Sequence, residues 1–180
     1  MSRINLRWAL ATAALPVSLV LVAALPMKPG ATRVSGKFTM KYSQQHPLAV
    51  TDQAGPVLLA NEAKGTNSNT GAFDYMDGAA TTLVEIADLT QGNGSHQGYV
   101  TFEKGGEKTV NRWSGRVTTR TSAQNQPVTS FSGTWTKLDG TGRYEGISGS
   151  GRYKGRMTSP TEFVVEWDGE VKLKDGTPSR

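Results

Sequence analysis

The chain contains no cysteine, which excludes disulfides, a thiol nucleophile and thiolate metal sites. Histidine is nearly as scarce. His46 and His96 are the only two, and they carry no ligand spacing with each other. With carboxylates they make a weak zinc set, and two loop histidines is the plainer reading. No Ser-His-Asp set and no paired-carboxylate arrangement can be assembled. The glycine-rich stretch after Asp139 is followed by no Gly-Lys-Ser/Thr, so it is not a P-loop. No long helical pattern follows it either, so it is not a dinucleotide fingerprint. Asp74, Asp77 and Asp88, with Asn67 and Asn69, lack the spacing of a calcium loop and read as polar loop residues. Charge of one sign is also in short supply. Setting aside Arg3 and Arg7 leaves 18 basic against 15 acidic side chains, a net of +3, so no nucleic-acid partner is expected. Neither a cofactor nor a metal is called for by these residues.

What the chain has is glycine, 21 of its 180 residues, and many short alternating segments. That composition predicts one all-β domain of ordinary size, able to bury a core without staples. Residues 1–24 read as a secretory signal: Arg3 and Arg7 form a positive start, an apolar run follows, and Val22-Ala23-Ala24 offers small residues for cleavage. Cleavage after residue 31 is the alternative, and an uncleaved N-terminal anchor, the one expected route to a membrane, is the competing reading. The expected organisation is a signal over 1–24, a linker over 25–33, a β-barrel domain over 34–174 and a tail over 175–180. Export, periplasmic or secreted, follows as the expectation.

Eight β segments can be placed by alternation and turn residues. They run about Val34–Tyr42, Val57–Gly65, Thr81–Leu89, Gln97–Glu103, Lys108–Thr121, Val128–Lys137, Ser150–Thr158 and Glu162–Leu173. A loop through His46-Pro47 separates the first two. The polar stretch Thr66–Gly78 reads as a long loop, and Gly105-Gly106 as a tight hairpin. Short connections between sequential strands predict an antiparallel up-and-down meander. Eight strands suffice to close such a sheet around side chains or one small ligand. A β-sandwich is the competing architecture.

Aromatics and glycines recur two residues apart, in Trp113-Ser-Gly115, Phe131-Ser-Gly133-Thr-Trp135, Tyr153-Lys-Gly155 and Trp167-Asp-Gly169. Residues two apart share a face of a strand, so a ring can cover bare glycine backbone while the glycine lets the strand bend. Repeated over several strands, this favours a barrel over a sandwich. The stretch Phe131 to Gly155, with Gly-Thr-Trp, a spacer and then Gly-Thr-Gly-Arg-Tyr-Glu-Gly-Ile-Ser-Gly-Ser-Gly, is similar to small exported bacterial proteins of unknown function. It also resembles, more distantly, the glycine-rich turn of the allene oxide cyclase and dirigent barrels, which are calycin-like. About 25 residues carry the resemblance, with weaker similarity from His96 to Leu173. It implies an eight-stranded antiparallel barrel. Those families guide a reactive intermediate inside an apolar cavity, but their functional polar residues do not map onto this chain, so the fold carries over and the activity does not.

Trp113, Phe131, Trp135, Tyr153 and Trp167 are the candidate ligand-binding residues of the barrel interior; the alternative is that they fill a solid core. Arg112, Arg116 and Arg120, continued by Arg152, Lys154 and Arg156, form a basic row. It is read as charge pairing on the barrel exterior, with Arg156 opposite Glu162 and Arg152 opposite Glu166. Glu85 interrupts Leu83-Val84-Glu85-Ile86. Turned inward with Leu83 and Leu89 it is a candidate acid or base. The favoured expectation is that Val84 and Ile86 face inward and Glu85 is solvated, because an unpaired buried carboxylate is costly. Asn61 and Tyr99 carry the same ambiguity, and Glu85 and Tyr99 are the two weak catalytic candidates. The leading expectation for function is binding of a small apolar ligand in the barrel. A cofactor-free cyclase or isomerase, and a structural or surface-interaction domain without a cavity, are the alternatives.

Overall fold

The computed structural model describes residues 28–51 and 55–174. The expected signal segment and the expected tail lie outside the described residues. Eight strands follow one another: β1 (Thr32–Ala49), β2 (Pro56–Asn69), β3 (Ala80–Thr90), β4 (Asn93–Lys104), β5 (Glu107–Thr121), β6 (Pro127–Gly140), β7 (Ser148–Met157) and β8 (Glu162–Lys172). Each pairs antiparallel with the next, and β8 returns to β1, so the sheet is a closed barrel in sequence order. The sandwich alternative is excluded.

Period-2 alternation decides the faces. Val34, Phe38 and Met40 on β1, Trp113 and Val117 on β5, Trp135 on β6, and Phe163, Val165, Trp167 and Val171 on β8 are buried inside. Arg112, Arg116 and Arg120 are exposed on the outer face of β5.

The strands run longer than their apolar patterns suggest. The expected loop at His46-Pro47 is instead the end of β1, where His46 pairs with Ala60 and Pro47 with Leu59. Pairing with β8 stops at Lys41–Glu162. After one further bond on that side, from Tyr42 N to Thr161 O at 2.9 Å, β1 pairs with β2 alone, and proline is tolerated at such an edge. Two hairpins turn in two residues of positive φ, Gln91-Gly92 and Gly105-Gly106. That is the geometry whose twist matches the flanking strands.

The aromatic–glycine pattern works across strands rather than along them. Trp167 lies directly opposite Gly36, Trp113 opposite Gly98, Trp135 opposite Gly151, Phe131 opposite Gly155 and Tyr153 opposite Gly133. Each ring lies over its partner glycine: a Cβ on Gly36 would sit 2.4 Å from the Trp167 ring, and one on Gly155 2.2 Å from Phe131. The glycines therefore take up the inward volume that the large rings need, and the barrel wall stays closed around them.

One end of the barrel is plugged. The β2–β3 connection folds inward and buries Tyr75 and Met76, and a short 3-10 turn at Gly142–Tyr144 buries Tyr144, with Ile147 beside it. Asn67 ties the plug down: its Nδ2 donates to Met76 O at 2.9 Å, and its Oδ1 accepts from Trp167 Nε1 at 3.1 Å. The stretch expected to be a long loop is thus strand as far as Asn69 and an ordered stopper thereafter.

Between β7 and β8 the register differs from expectation. Arg152 faces Asp168, Lys154 faces Glu166, and Arg156 faces Val164. The chain turns through Thr158–Thr161, a longer reversal than a tight turn at Ser159 would give, and this moves every partner by two residues. Ion pairing on this face survives the shift, as Arg152–Asp168 at 3.2 Å and Lys154–Glu166 at 3.1 Å. Arg112, Arg116 and Arg120 form no ion pair among the described residues.

Candidate functional site

The interior above the plug is a cavity of about 220 Å³. Its lining is mainly aromatic and aliphatic, and Trp113, Phe131, Trp135, Tyr153 and Trp167 are all part of it. Gln45, Leu59, Leu89, Thr129, Met157 and Pro160 line it near the other end, where none of them is fully buried, so that end is the mouth. A solid core does not describe this barrel.

Glu85 is inside, with a side chain only 10% exposed, whereas Val84 and Ile86 are 42% and 54% exposed on the outer face. The expectation of a solvated Glu85 is therefore corrected. Its premise was an unpaired carboxylate, and this carboxylate is fully partnered. Glu85 Oε1 lies 2.9 Å from His96 Nδ1, and Oε2 accepts from Asn61 Nδ2 at 2.8 Å and from the Tyr42 hydroxyl at 3.4 Å. Asn61, directly opposite Glu85 on β2, also faces inward. Tyr99 is 44% exposed on the outer face, which removes it as an interior acid or base. His96, expected in a loop, is a buried residue of β4; His46 is exposed on β1.

The far side of His96 is held by an unusual route. Register places His96 opposite Gly115, Gly115 opposite Gly133, and Gly133 opposite Tyr153. Three strand spacings, about 14 Å along the sheet, separate the two polar residues. The two intervening positions have no side chains, so Tyr153 lies down across them. Its hydroxyl would be 2.4 Å from a Cβ on Gly115 and 2.6 Å from one on Gly133. It reaches His96 Nε2 at 3.0 Å.

A carboxylate can only accept, so Nδ1 carries a hydrogen and donates to Glu85. In the neutral ring Nε2 is then an acceptor, and the Tyr153 hydroxyl donates to it. The result is a directed chain, Tyr153 to His96 to Glu85, along one wall of an otherwise apolar chamber. Burial, and secondarily the Glu85 carboxylate, push the Tyr153 and Tyr42 phenols above their ordinary values. Both are neutral donors at physiological pH. His96 is packed edge-on against Trp113 and Phe131, with ring centroids 4.8 and 5.6 Å away, which fixes its plane.

A second polar group lies at the floor. Lys137, two residues beyond Trp135 on β6, is buried, and its Nζ donates to the Tyr75 hydroxyl and, at 3.3 Å, to Thr109 Oγ1. Tyr75 and Thr109 are themselves hydrogen-bonded at 2.8 Å. Four buried polar atoms of cavity-lining residues have no partner in the protein: Asn61 Oδ1, Asn111 Oδ1, Trp113 Nε1 and Trp135 Nε1.

Of the sequence candidates, the five aromatics and Glu85 share this chamber, and Tyr99 does not. Sequence reading missed Tyr42 and Lys137 as site residues, weighed His96 only as a weak zinc ligand, and left Asn61 with the same ambiguity as Glu85. The signal for Lys137 was present, since it continues the inward row Phe131, Gly133, Trp135 by two residues. His96 carried the same signal, since it precedes the inward residues Val100 and Phe102 of β4 by an even spacing; its partners, from β3 and β7, could not be read locally.

No family model matches the chain, and no curated protein matches it. Solved structures similar to it include two pterocarpan synthase dirigent proteins. One, GePTS1, is 15% identical, with 83% of this chain and 97% of that chain covered and a TM-score of 0.42. The other, PsPTS1, is 13% identical, with 82% and 97% covered and a TM-score of 0.44.

Proposed function

We propose that this protein holds one small, flat, largely apolar molecule inside its barrel, and that the molecule carries at least one hydroxyl or carbonyl group. The carrying observation is the aromatic chamber of about 220 Å³ with a hydrogen-bonded polar wall. The aromatic lining supplies the apolar contacts expected of a small-molecule pocket, and a few convergent polar groups fix orientation. The unpartnered Trp113 and Trp135 indoles and the two asparagine carbonyls argue against a pure hydrocarbon. Buried polar atoms are ordinarily satisfied, and a ligand with complementary groups would satisfy these.

Native mass spectrometry of the protein purified gently from its own source tests this. A discrete extra mass that leaves on denaturation is the expected result. A bare mass, together with unchanged tryptophan emission on titration with small aromatic alcohols, would overturn it.

A second reading is a cofactor-free isomerase or cyclase, favoured by the Tyr153–His96–Glu85 chain. A ligand proton taken up by the Tyr153 oxygen can be balanced by transfer of the phenol proton to His96 Nε2, with Glu85 holding the ring and stabilising its charged form. Proton exchange into 2-cyclohexenone in heavy water, followed by NMR, checks this. Exchange that His96→Gln or Glu85→Gln abolishes while benzyl alcohol still binds supports it. Unchanged exchange in both variants removes it.

A further inference from the structure

Lys137 is the buried ionisable group that the polar wall does not use. Its Nζ sits 4.5 Å from the centroid of the Tyr75 ring and 5.8 Å from those of Phe102 and Trp135. All four residues line the cavity. The groups packed around the amine are neutral. The plug contributes Tyr75, β5 contributes Thr109 and, directly opposite Lys137, Asn111; Tyr144 lies behind Tyr75. Among the described residues no carboxylate forms an ion pair with it. Glu85 is committed to His96 and Asn61, nearer the mouth. Burial holds the Lys137 amine well below its ordinary value, with no carboxylate to offset it; the Tyr75 ring face and two hydroxyl oxygens offset it only in part. The Tyr75 phenol is raised by the same burial, so it remains a proton donor.

A buried amine held by two hydroxyls at the end of an apolar chamber is placed to act as a nucleophile. We propose that Lys137 captures a carbonyl ligand covalently, taking an aldehyde or ketone lodged in the cavity as a Schiff base. The inference rests on the reading of the chamber as a ligand site. The step is balanced without a redox partner. The Nζ lone pair forms a bond to the carbonyl carbon as the carbonyl π electrons move to oxygen. Nζ gives up a proton and the oxygen gains one, yielding a carbinolamine. The hydroxyl then gains a proton and leaves as water while the nitrogen lone pair forms the C=N bond, and Nζ returns its remaining proton to the donor, so one carbonyl and one amine give one imine and one water. The Tyr75 and Thr109 hydroxyls, both within hydrogen-bond reach of Nζ, are the groups placed to hand a proton to the departing oxygen. The alternative use of a buried lysine, as an ammonium gripping a ligand carboxylate, would need a charge that burial without a carboxylate partner disfavours.

Wild-type protein treated at neutral pH with benzaldehyde and sodium cyanoborohydride, followed by peptide mass mapping, tests the inference. The reductant converts any imine to a stable benzylamine. Lys137 should acquire the benzyl group at least about ten-fold faster than exposed lysines such as Lys64 and Lys154. Excess benzyl alcohol, similar in shape but without a carbonyl, should slow that labelling, and Lys137→Met should show no fast-labelled site. If benzyl alcohol perturbs tryptophan emission yet Lys137 is labelled no faster than surface lysines, carbonyl capture is wrong and the ligand chamber stands. If benzyl alcohol gives no response and Lys137 is not labelled, both readings fall. Fast labelling of Lys137 that benzyl alcohol does not slow would overturn capture from within the cavity.

Discussion

The mouth and the floor of the chamber solve the same problem in opposite ways. Near the mouth, Glu85 is buried with a histidine, an asparagine and a tyrosine around it, so its polar atoms are satisfied by partners. At the floor, Lys137 is buried with hydroxyls and aromatic rings but no opposing charge. Partnering preserves a polar group's hydrogen bonds, while burial without a counter-charge pushes a base toward its neutral form. The two ends are therefore chemically distinct. One is a directed hydrogen-bond chain; the other is a buried amine with no opposing charge. A ligand long enough to span them would meet a donor–acceptor wall and a nucleophile in one apolar tube.

Breaking the mouth should cost the most. Glu85→Ala leaves His96 Nδ1 and Asn61 Nδ2 without their acceptor inside an apolar wall, and should destabilise by about 3 kcal/mol in urea unfolding. The glycine bridge comes next. A methyl on Gly133 would sit 2.1 Å from the Ser114 carbonyl oxygen and 2.6 Å from the Tyr153 hydroxyl. Gly133→Ala should therefore cost about 2 kcal/mol and weaken the Tyr153–His96 bond.

The floor should respond with the opposite sign. In the folded protein the Lys137 amine sheds its proton well below the ordinary 10.5, while the unfolded chain keeps it. The unfolded state thus binds more protons between those two values. Stability from this group is complete above about 10.5 and falls as pH drops toward the folded value, by about 1.4 kcal/mol per pH unit. Lys137→Met should remove this slope and leave the barrel equal to or more stable than wild type near pH 7. Paired unfolding curves at about pH 7 and 9 measure it, below the range where tyrosines of the unfolded chain ionise. A smaller effect belongs to Tyr153→Phe, which deprives His96 Nε2 of its donor at about 1 kcal/mol. The smallest belongs outside the barrel. Arg152→Ala, which breaks an exposed pair with Asp168, should leave the melting temperature unchanged within error.

Strand number, strand order and the inward rows of β5, β6 and β8 were legible because period-2 alternation is a local property. Pairing register was less so. The β7–β8 partners shift by two with the length of one turn, and the rings cover cross-strand glycines that no single strand reveals. The orientation of Glu85 could not be read from β3 alone. The rule against burying a lone carboxylate pointed outward, and the partners that suspend the rule come from β1, β2 and β4. The Tyr153–His96 contact depends on two glycines from two further strands. Site chemistry here is a property of the closed sheet, assembled from residues far apart in the chain.

The central claim is that the chamber receives a ligand, and the indole N–H resonances test it most directly. Trp113 and Trp135 lack a protein partner for Nε1, whereas Trp167 Nε1 is bonded to Asn67. Titration of nitrogen-15-labelled protein with benzyl alcohol should shift the Trp113 and Trp135 indole signals together and saturably, with a smaller shift at Trp167. Three indole signals unmoved up to millimolar alcohol would show a chamber that admits nothing, and would contradict the account.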